Sequence, residues 1–502
     1  MTSNTKRIAK NTLVLYVRMV IVLLITLYTS RILLKALGVD DYGLYSVVGG
    51  VVGLLTFFNG TMSKATQRFI NVSMVKGDDC LHTIFSNSVT IHIIIAIAFL
   101  ILCESLGLWY LNTQVEMPMG REFAANMVYQ ASVISFAISI VAIPYNAAVI
   151  AYERMTFMAV VSIIDAVLKL GIAFILLINS NDRLILYGIL LLAITLVNFI
   201  LYSAYCRKEF PILEFKLSYD RETFSQLFGY IGWTFVGQIA VVGCNQGNIL
   251  LVNKFHALAA NAAMTIGNQV GNALSNLTTN FQTAFNPQIT KSYAEGDSDY
   301  LTSLVFMTCK LSFCIMLIVS MPIMINIDWV LDCWLDSVPD MSNTFAILFM
   351  ANAIINAISM PFNFTVLSSG RIRNFQIATS IVFLSDLPLT YLFFMQGMPA
   401  TTVMMVKLFV IIVMLFMRIF YASKTIDTIK VTKVCLKLLL PMAMTAIVIY
   451  ALSLVLNHYA NTTLLKAILT IVLELICFTM IWFFCFDRGE RASLLSLIKS
   501  WI

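Results

Sequence analysis

Nine ionisable side chains fall inside long apolar runs: Arg18, Arg31, Glu104, Asp165, Lys169, Lys310, Asp386, Lys407 and Glu474. A charge at the centre of a bilayer costs about 2.5 to 3.5 kcal/mol by insertion scales, so such groups mark cargo recognition, ion coupling or a partner that cancels the cost. Arg18 lies too deep in the first run to reach the interface by snorkelling and is a candidate cavity cation. Arg31 follows thirteen residues on, a rotation of about 220° at roughly 100° per residue. The two arginines therefore occupy different faces, and Arg31, close to the outer end, is expected to snorkel.

Asp165 and Lys169 are spaced i, i+4 and can pair; they are either a structural pair or a cavity site that exchanges a proton or ion. Asp386 stands two residues before Pro388, which frees a backbone carbonyl that could assist an ion; the alternative is a helix–helix hydrogen bond. Lys310 lies near the cytoplasmic end of its run, and Lys407 and Glu104 near the outer ends of theirs. Substrate-contact candidates are Arg18, Lys169, Lys310 and Lys407, and ion-coupling candidates are Asp165 and Asp386.

Amides form a second set. Asn268, Asn272, Asn276 and Asn280 recur every four residues and make a slowly winding stripe, flanked by Asn261 and Gln282. In a bilayer a stripe needs partner helices or water; its length favours a hydrated lining with donors and acceptors suited to sugar hydroxyls. Gln238, Asn245, Gln246 and Asn248, then Asn352, Asn356 and Asn363, and Asn59, Thr66 and Gln67 extend the polar surface to other runs.

The elements that must position these groups are membrane spans. The chain is 60% hydrophobic and 12% charged over 502 residues, against roughly 45–50% and 25% in soluble domains. Runs long enough to cross about 30 Å of hydrocarbon fall near 12-36, 44-62, 86-110, 124-149, 157-179, 184-205, 228-252, 260-284, 303-327, 342-364, 374-395, 400-421, 436-456 and 464-486. The second and eighth are weakened by polar side chains. With the N-terminus in the cytoplasm, most of the 32 Lys and Arg fall in cytoplasmic segments, Arg418 and Lys499 among them. Only Lys35, Arg121, Arg183, Lys254 and Lys466 fall outside, as the positive-inside rule requires. The first run lacks a small-residue cleavage site and is expected to remain a span.

An offset of 219 residues lays Lys35 on Lys254 and Gly77-Asp78 on Gly296-Asp297. Six spans precede the second copy, so the copies share an orientation. The fold class expected is an all-α polytopic membrane protein with about fourteen transmembrane helices. Two six-helix lobes face a central cavity: residues 1-206, a cytoplasmic linker 207-222, and residues 223-422. Helices 13 and 14 and a tail occupy 423-502. Pro144, Pro361 and Pro388 are either bend points for rocking or tolerated kinks.

Several chemistries find no support. The ten cysteines and four histidines show no metal-ligand spacing, so no metal is expected and the cysteines read as small hydrophobes. No phosphate-cradling glycine motif is present. The net charge of +6 suits anionic lipid headgroups and not nucleic acid. The longest outer connection, "DWVLDCWLDSVPD", lacks the His or Arg a membrane glycosyltransferase would want, so no enzyme is expected.

The segments "NTLVLYVRMVIVLLITLYTSRILLKALGVDDYGLYSVVGGVVGLLTFFNGTMSKATQRFI" and "IPYNAAVIAYERM", with the fourteen-span plan, resemble the polysaccharide transporters of the multidrug/oligosaccharidyl-lipid/polysaccharide exporter (MOP) superfamily. These are the Wzx-like O-antigen and capsule repeat-unit flippases. The resemblance covers essentially the whole chain. It implies a solvated cationic cavity, alternating access and an undecaprenyl-pyrophosphate-linked oligosaccharide as cargo, carried across the bacterial cytoplasmic (inner) membrane. It also implies no cofactor beyond a coupling H+ or Na+ gradient, with membrane lipids, a polysaccharide polymerase and a chain-length regulator as partners. Sibling readings within the superfamily are a cation-coupled multidrug exporter and a peptidoglycan-precursor flippase.

Overall fold

A computed structural model describes residues 2–53, 57–114, 120–178, 182–216, 220–256, 258–335, 338–459 and 463–492, and among these the regular structure is helical, with no strand. The side chain of Lys466, and Lys499 with the end of the 423-502 segment, lie outside the described residues. Helix α1 (Thr2–Gly53) contains the first expected span and the start of the second, separated by Gly38 at φ 80°. Only a residue without Cβ adopts that backbone without strain. The helical path resumes in α2 (Phe57–Lys76), so the second helix runs well beyond residue 62, and Lys64 and Arg68 lie on it and not in a connection. The hydropathy average stops early because α2 is polar even where it is buried: Thr66, Gln67, Asn71 and Ser73 are covered beside Met62, Phe69 and Ile70 as the helix packs on α3 (Asp78–Leu102) and on α5 (Glu122–Ala151).

The chain divides into two compact units. One comprises Ala9–Phe235; the other comprises Val236–Ile502 with Met1–Ile8. The division falls inside α8 (Arg221–Phe255), beyond the 207-222 connection. That connection docks on α3 (Asp78–Leu102): Asn87 Oδ1 accepts from the Asp220 amide at 3.1 Å, and Ser86 Oγ from the Lys216 amide at 3.4 Å. Tyr230, in the first part of α8, meets Phe69 of α2 edge-on at 5.4 Å.

Each unit is built around one central helix. In the first, α5 packs on α2, α3, α6 (Met155–Ile178) and α7 (Arg183–Glu209). In the second, α12 (Ser342–Ser368) packs on α9 (Leu258–Glu295), α10 (Ser298–Ile325) and α15 (Thr402–Thr425). Helix starts recur near the 219-residue offset: Asp78 and Ser298, Glu122 and Ser342, Arg183 and Thr402. Gly77 and Gly296 precede the third helix of each copy at φ 118° and 77°. A positive φ at both is the backbone reason for the Gly-Asp pair in the sequence.

In lipid the apolar effect does not hold helices together, so close backbone approach must. On α9, Gly267 and Gly271 are four apart and face α12; a Cβ on Gly267 would lie 2.8 Å from the Phe345 carbonyl carbon, and one on Gly271 2.9 Å from Phe349 Cβ. This contact fixes the rotation of α9.

Eleven helices among the described residues are long and apolar enough to cross a membrane; α4 (Leu108–Gln114) continues α3 within one of them, and α11 (Ile327–Trp334) is a short helix after α10. The remaining expected spans correspond to α2, to α9, whose polar stripe lowers its hydropathy, and to α18 (Thr463–Met480), which continues as a π turn to Cys485. The expected thirteenth span forms as α16 (Val431–Val434), a π turn at Cys435–Leu439 and α17 (Leu440–Tyr459). Both C-terminal helices pack on α10.

Candidate functional site

The first unit holds a cavity of about 620 Å³ lined by α1, α2, α5, α6 and α7. From α1 it receives Val22, Thr26, Thr29 and Leu33, the i, i+4, i+7 face of that helix. Ser132, Ser135 and Ser139 come from α5, and Asp165 and Lys169 from α6. Lys169 Nζ pairs with Asp165 Oδ2 at 2.8 Å, and Asn198 of α7 donates to Asp165 Oδ1 at 2.7 Å. The pair is intrahelical, as one of the two sequence alternatives has it, and it lines the cavity.

Arg18 lies one turn below Val22 on the same face of α1. Its Nε is buried without a hydrogen-bond partner among the described residues, and Tyr202 of α7 acts on it electrostatically. Arg31, on the other face, is exposed. Glu104 is also exposed and accepts from Gln130 at 3.0 Å.

A charged clamp closes one end of this unit, and sequence reading missed it. Arg121, just before α5, binds Asp41 through Nε at 2.8 Å and through Nη2, and reaches Asp182 through Nη1 at 2.7 Å. Asp182 also caps α7 by accepting from the Leu184 amide at 3.1 Å, and Arg183 donates to the Ala36 carbonyl at 2.8 Å. The Asp41 hydrogen bond, first, and the charges of both acids hold the Arg121 guanidinium above its ordinary pKa. The only sequence signal was the acid of "GVDDYG", whose partner lies 80 residues away.

In the second unit α13 (Arg373–Leu384) and α14 (Asp386–Met395) meet at Ser385, and Asp386 is buried at this break. Its Oδ2 accepts from Asn248 Nδ2 at 2.8 Å and Cys244 Sγ at 3.0 Å, and its Oδ1 from Thr390 at 3.2 Å. Lys407 of α15 donates to Asn245 Oδ1 at 2.7 Å, one helical position from Cys244. Each unit therefore carries one acid on the fifth helix of its copy, held by an asparagine amide.

Asn268, Asn272 and Asn276 are exposed on α9, the first two each next in sequence to a glycine that meets α12. Gln282, expected beside the stripe, turns inward instead: its Nε2 donates to Ser312 Oγ at 3.0 Å and to the Ala357 carbonyl at 2.8 Å. That carbonyl is the one Pro361 leaves without its helical partner.

Lys310 is 4% exposed and binds both oxygens of Glu490, at 2.7 and 2.9 Å, so its charge is met inside the protein. Arg418, assigned from the sequence to the cytoplasmic side, is a buried helix residue: its Nη1 donates to Ser359 at 2.9 Å and Asn356 at 3.2 Å, with no carboxylate partner among the described residues. The signal was its setting, "LFMRIFYA", with apolar residues on both sides. Glu474 of α18 has both carboxylate oxygens buried without a partner among the described residues. All ten cysteines are free, and no described group of three His, Cys, Asp or Glu could hold a metal.

No protein-family model and no curated protein matches the sequence. Solved structures do. An outward-facing multidrug resistance MATE family transporter of the MOP superfamily superposes with TM-score 0.72 at 12% identity, covering 85% of this chain and 97% of that one. A point variant of a MATE transporter gives TM-score 0.75 at 12% identity over the same shares. A variant of the Vibrio cholerae MATE transporter VcmN gives 0.64 at 14%, covering 85% and 98%. At this identity the likeness establishes architecture: the chain has the two-lobed MATE transporter fold. These neighbours are transporters and not enzymes.

Proposed function

We propose that this protein is an alternating-access transporter of the MOP superfamily type, and that its cargo is a polyprenyl-pyrophosphate-linked oligosaccharide carried across the bacterial inner membrane. The observation that carries the cargo assignment is the exposed amide face of α9. Asn268, Asn272 and Asn276 stand exposed on a helix long enough to span the bilayer, and unpaired amides in hydrocarbon are costly unless water or a polar cargo meets them. The half-buried Arg18 and the buried Arg418 add to this. Arg18 and Arg418 lack carboxylate partners among the described residues, and guanidinium groups bind phosphate oxygens well. The lipid tail can stay in the bilayer while the pyrophosphate and sugars cross a polar path.

A second reading, a multidrug exporter coupled to H+ or Na+, is favoured by the descriptions of the structural neighbours, and Asp165 and Asp386 would be its acids. Deleting the gene separates the two. The flippase reading expects lipid-linked repeat units to accumulate in the inner leaflet, with drug tolerance unchanged. Drug sensitivity without accumulation would establish the exporter instead. Complementation of a strain lacking the peptidoglycan-precursor flippase tests the sibling cargo, and co-purification tests the polymerase and chain-length regulator as partners.

A further inference from the structure

The geometry points to the first unit's cavity as a binding site for an uncharged polyhydroxyl ligand, the glycan part of the cargo; this rests on the flippase reading and refines it. The volume, about 620 Å³, falls within the roughly 300–1,000 Å³ of small-molecule sites. The chemistry of the wall selects the ligand.

Most of the hydroxyl protons in that wall are already used. Thr29 donates to the Ile25 carbonyl at 2.7 Å, Ser30 to Thr26 at 2.9 Å, Ser135 to Ala131 at 2.7 Å, Ser139 to Phe136 at 2.7 Å and Thr195 to Leu191 at 3.1 Å. Each oxygen keeps lone pairs for a guest and offers it no proton. Asn59 spends its Nδ2 on Ser139 at 3.0 Å, while its Oδ1 is buried without a partner among the described residues. The cavity is therefore rich in acceptors and wants a ligand with several donors.

A phosphate, all acceptor, finds one cation in that wall, Lys169, already shared with Asp165, whose charge disfavours it. An organic cation is disfavoured because Lys169 already meets the Asp165 charge at 2.8 Å. Neutral hydroxyls satisfy both conditions, since each can donate to a wall oxygen, and Lys169, half exposed, remains the donor for a ring or acetal oxygen. The Tyr45 and Tyr187 rings, 4.8 Å apart and edge to face, supply apolar surface for the carbon faces of a sugar.

The test uses the full chain in nanodiscs and three probes. These are the oligosaccharide released by mild acid from the lipid-linked precursors of the source cells, tetraphenylphosphonium, and inorganic pyrophosphate. Calorimetric titration should show saturable oligosaccharide binding, weakened at least tenfold in Asn59→Ala and in the cavity-filling Ser135→Phe, with neither charged probe competing. No oligosaccharide binding to the parent protein would overturn the assignment. So would binding indifferent to both substitutions, or phosphonium binding that Asp165→Asn abolishes. Asn59→Ala gives up one hydrogen bond to Ser139, so its melting temperature is read beside its binding, and with a parent-like melt it decides the matter if Ser135→Phe does not fold. Saccharide binding without accumulation of precursors on gene deletion would sink the flippase reading and keep the site; accumulation without saccharide binding would sink the site alone.

Discussion

The Lys310–Glu490 pair tests whether the C-terminal helices are fastened to α10 by a buried charge. Lys310 is 4% exposed and Glu490 25%, and two contacts of 2.7 and 2.9 Å join them. The partners are thus unequally buried, and the consequence is an asymmetry. Glu490→Gln strands an ammonium in the interior, the situation that costs about 3–5 kcal/mol when a buried pair is broken. Lys310→Met leaves a carboxylate near the surface, which can rotate into water, and should cost about 1–2 kcal/mol. The double substitution removes both charges and should recover most of the loss of Glu490→Gln. Thermal unfolding of the purified protein in detergent, with limited proteolysis after residue 430 as a reporter of the detached segment, reads all three variants. Equal losses for the two single substitutions, or a double variant no more stable than Glu490→Gln, would refute the reasoning. The same series shows whether Lys310 serves cargo: a double variant that is stable yet inactive would restore it to the transport site.

Arg18→Ala, still inserted, should abolish surface polysaccharide while Arg31→Ala leaves it near normal; equal tolerance in a surface-glycan blot would remove Arg18 from the path. Gly267→Ala drives a Cβ to within 2.8 Å of α12 backbone, an overpacking cost of about 1–3 kcal/mol. Gly243→Ala, with open space around it, should gain up to roughly 1 kcal/mol from helix propensity; melting curves that rank the pair the other way would contradict the α9–α12 contact. Asp220 caps α8, and hydrogen bonds from the Thr223 hydroxyl and amide hold its carboxyl below the usual range. Its folded pKa lies below the unfolded value of about 3.9, so the cap's contribution is present above about pH 4 and is lost as pH falls through the folded value. The melting difference between the parent and Asp220→Asn should therefore narrow between pH 7 and pH 3.

By itself the sequence determined the helical, membrane-spanning character, nearly all of the span positions and the two-copy plan. These are local properties: a bilayer demands that each spanning segment satisfy its own backbone, and apolar length and glycine at a positive-φ corner can be read from neighbours in the chain. It also separated Arg18 from Arg31, because helical rotation is arithmetic on residue numbers. Only the tertiary structure decided which charges have partners. Lys310 finds Glu490 at a distance of 180 residues, Asp386 finds Asn248 at 138, and Arg121 finds Asp41 at 80. Arg418 and the far half of α2 were misplaced for a related reason. A hydropathy window scores residue types, whereas packing decides which of them are covered. The hydroxyl cavity was invisible for the same cause: its serines and threonines come in threes from α1 and α5 with one more from α7, and their orientation against one another exists only once α5 has gathered those helices around it.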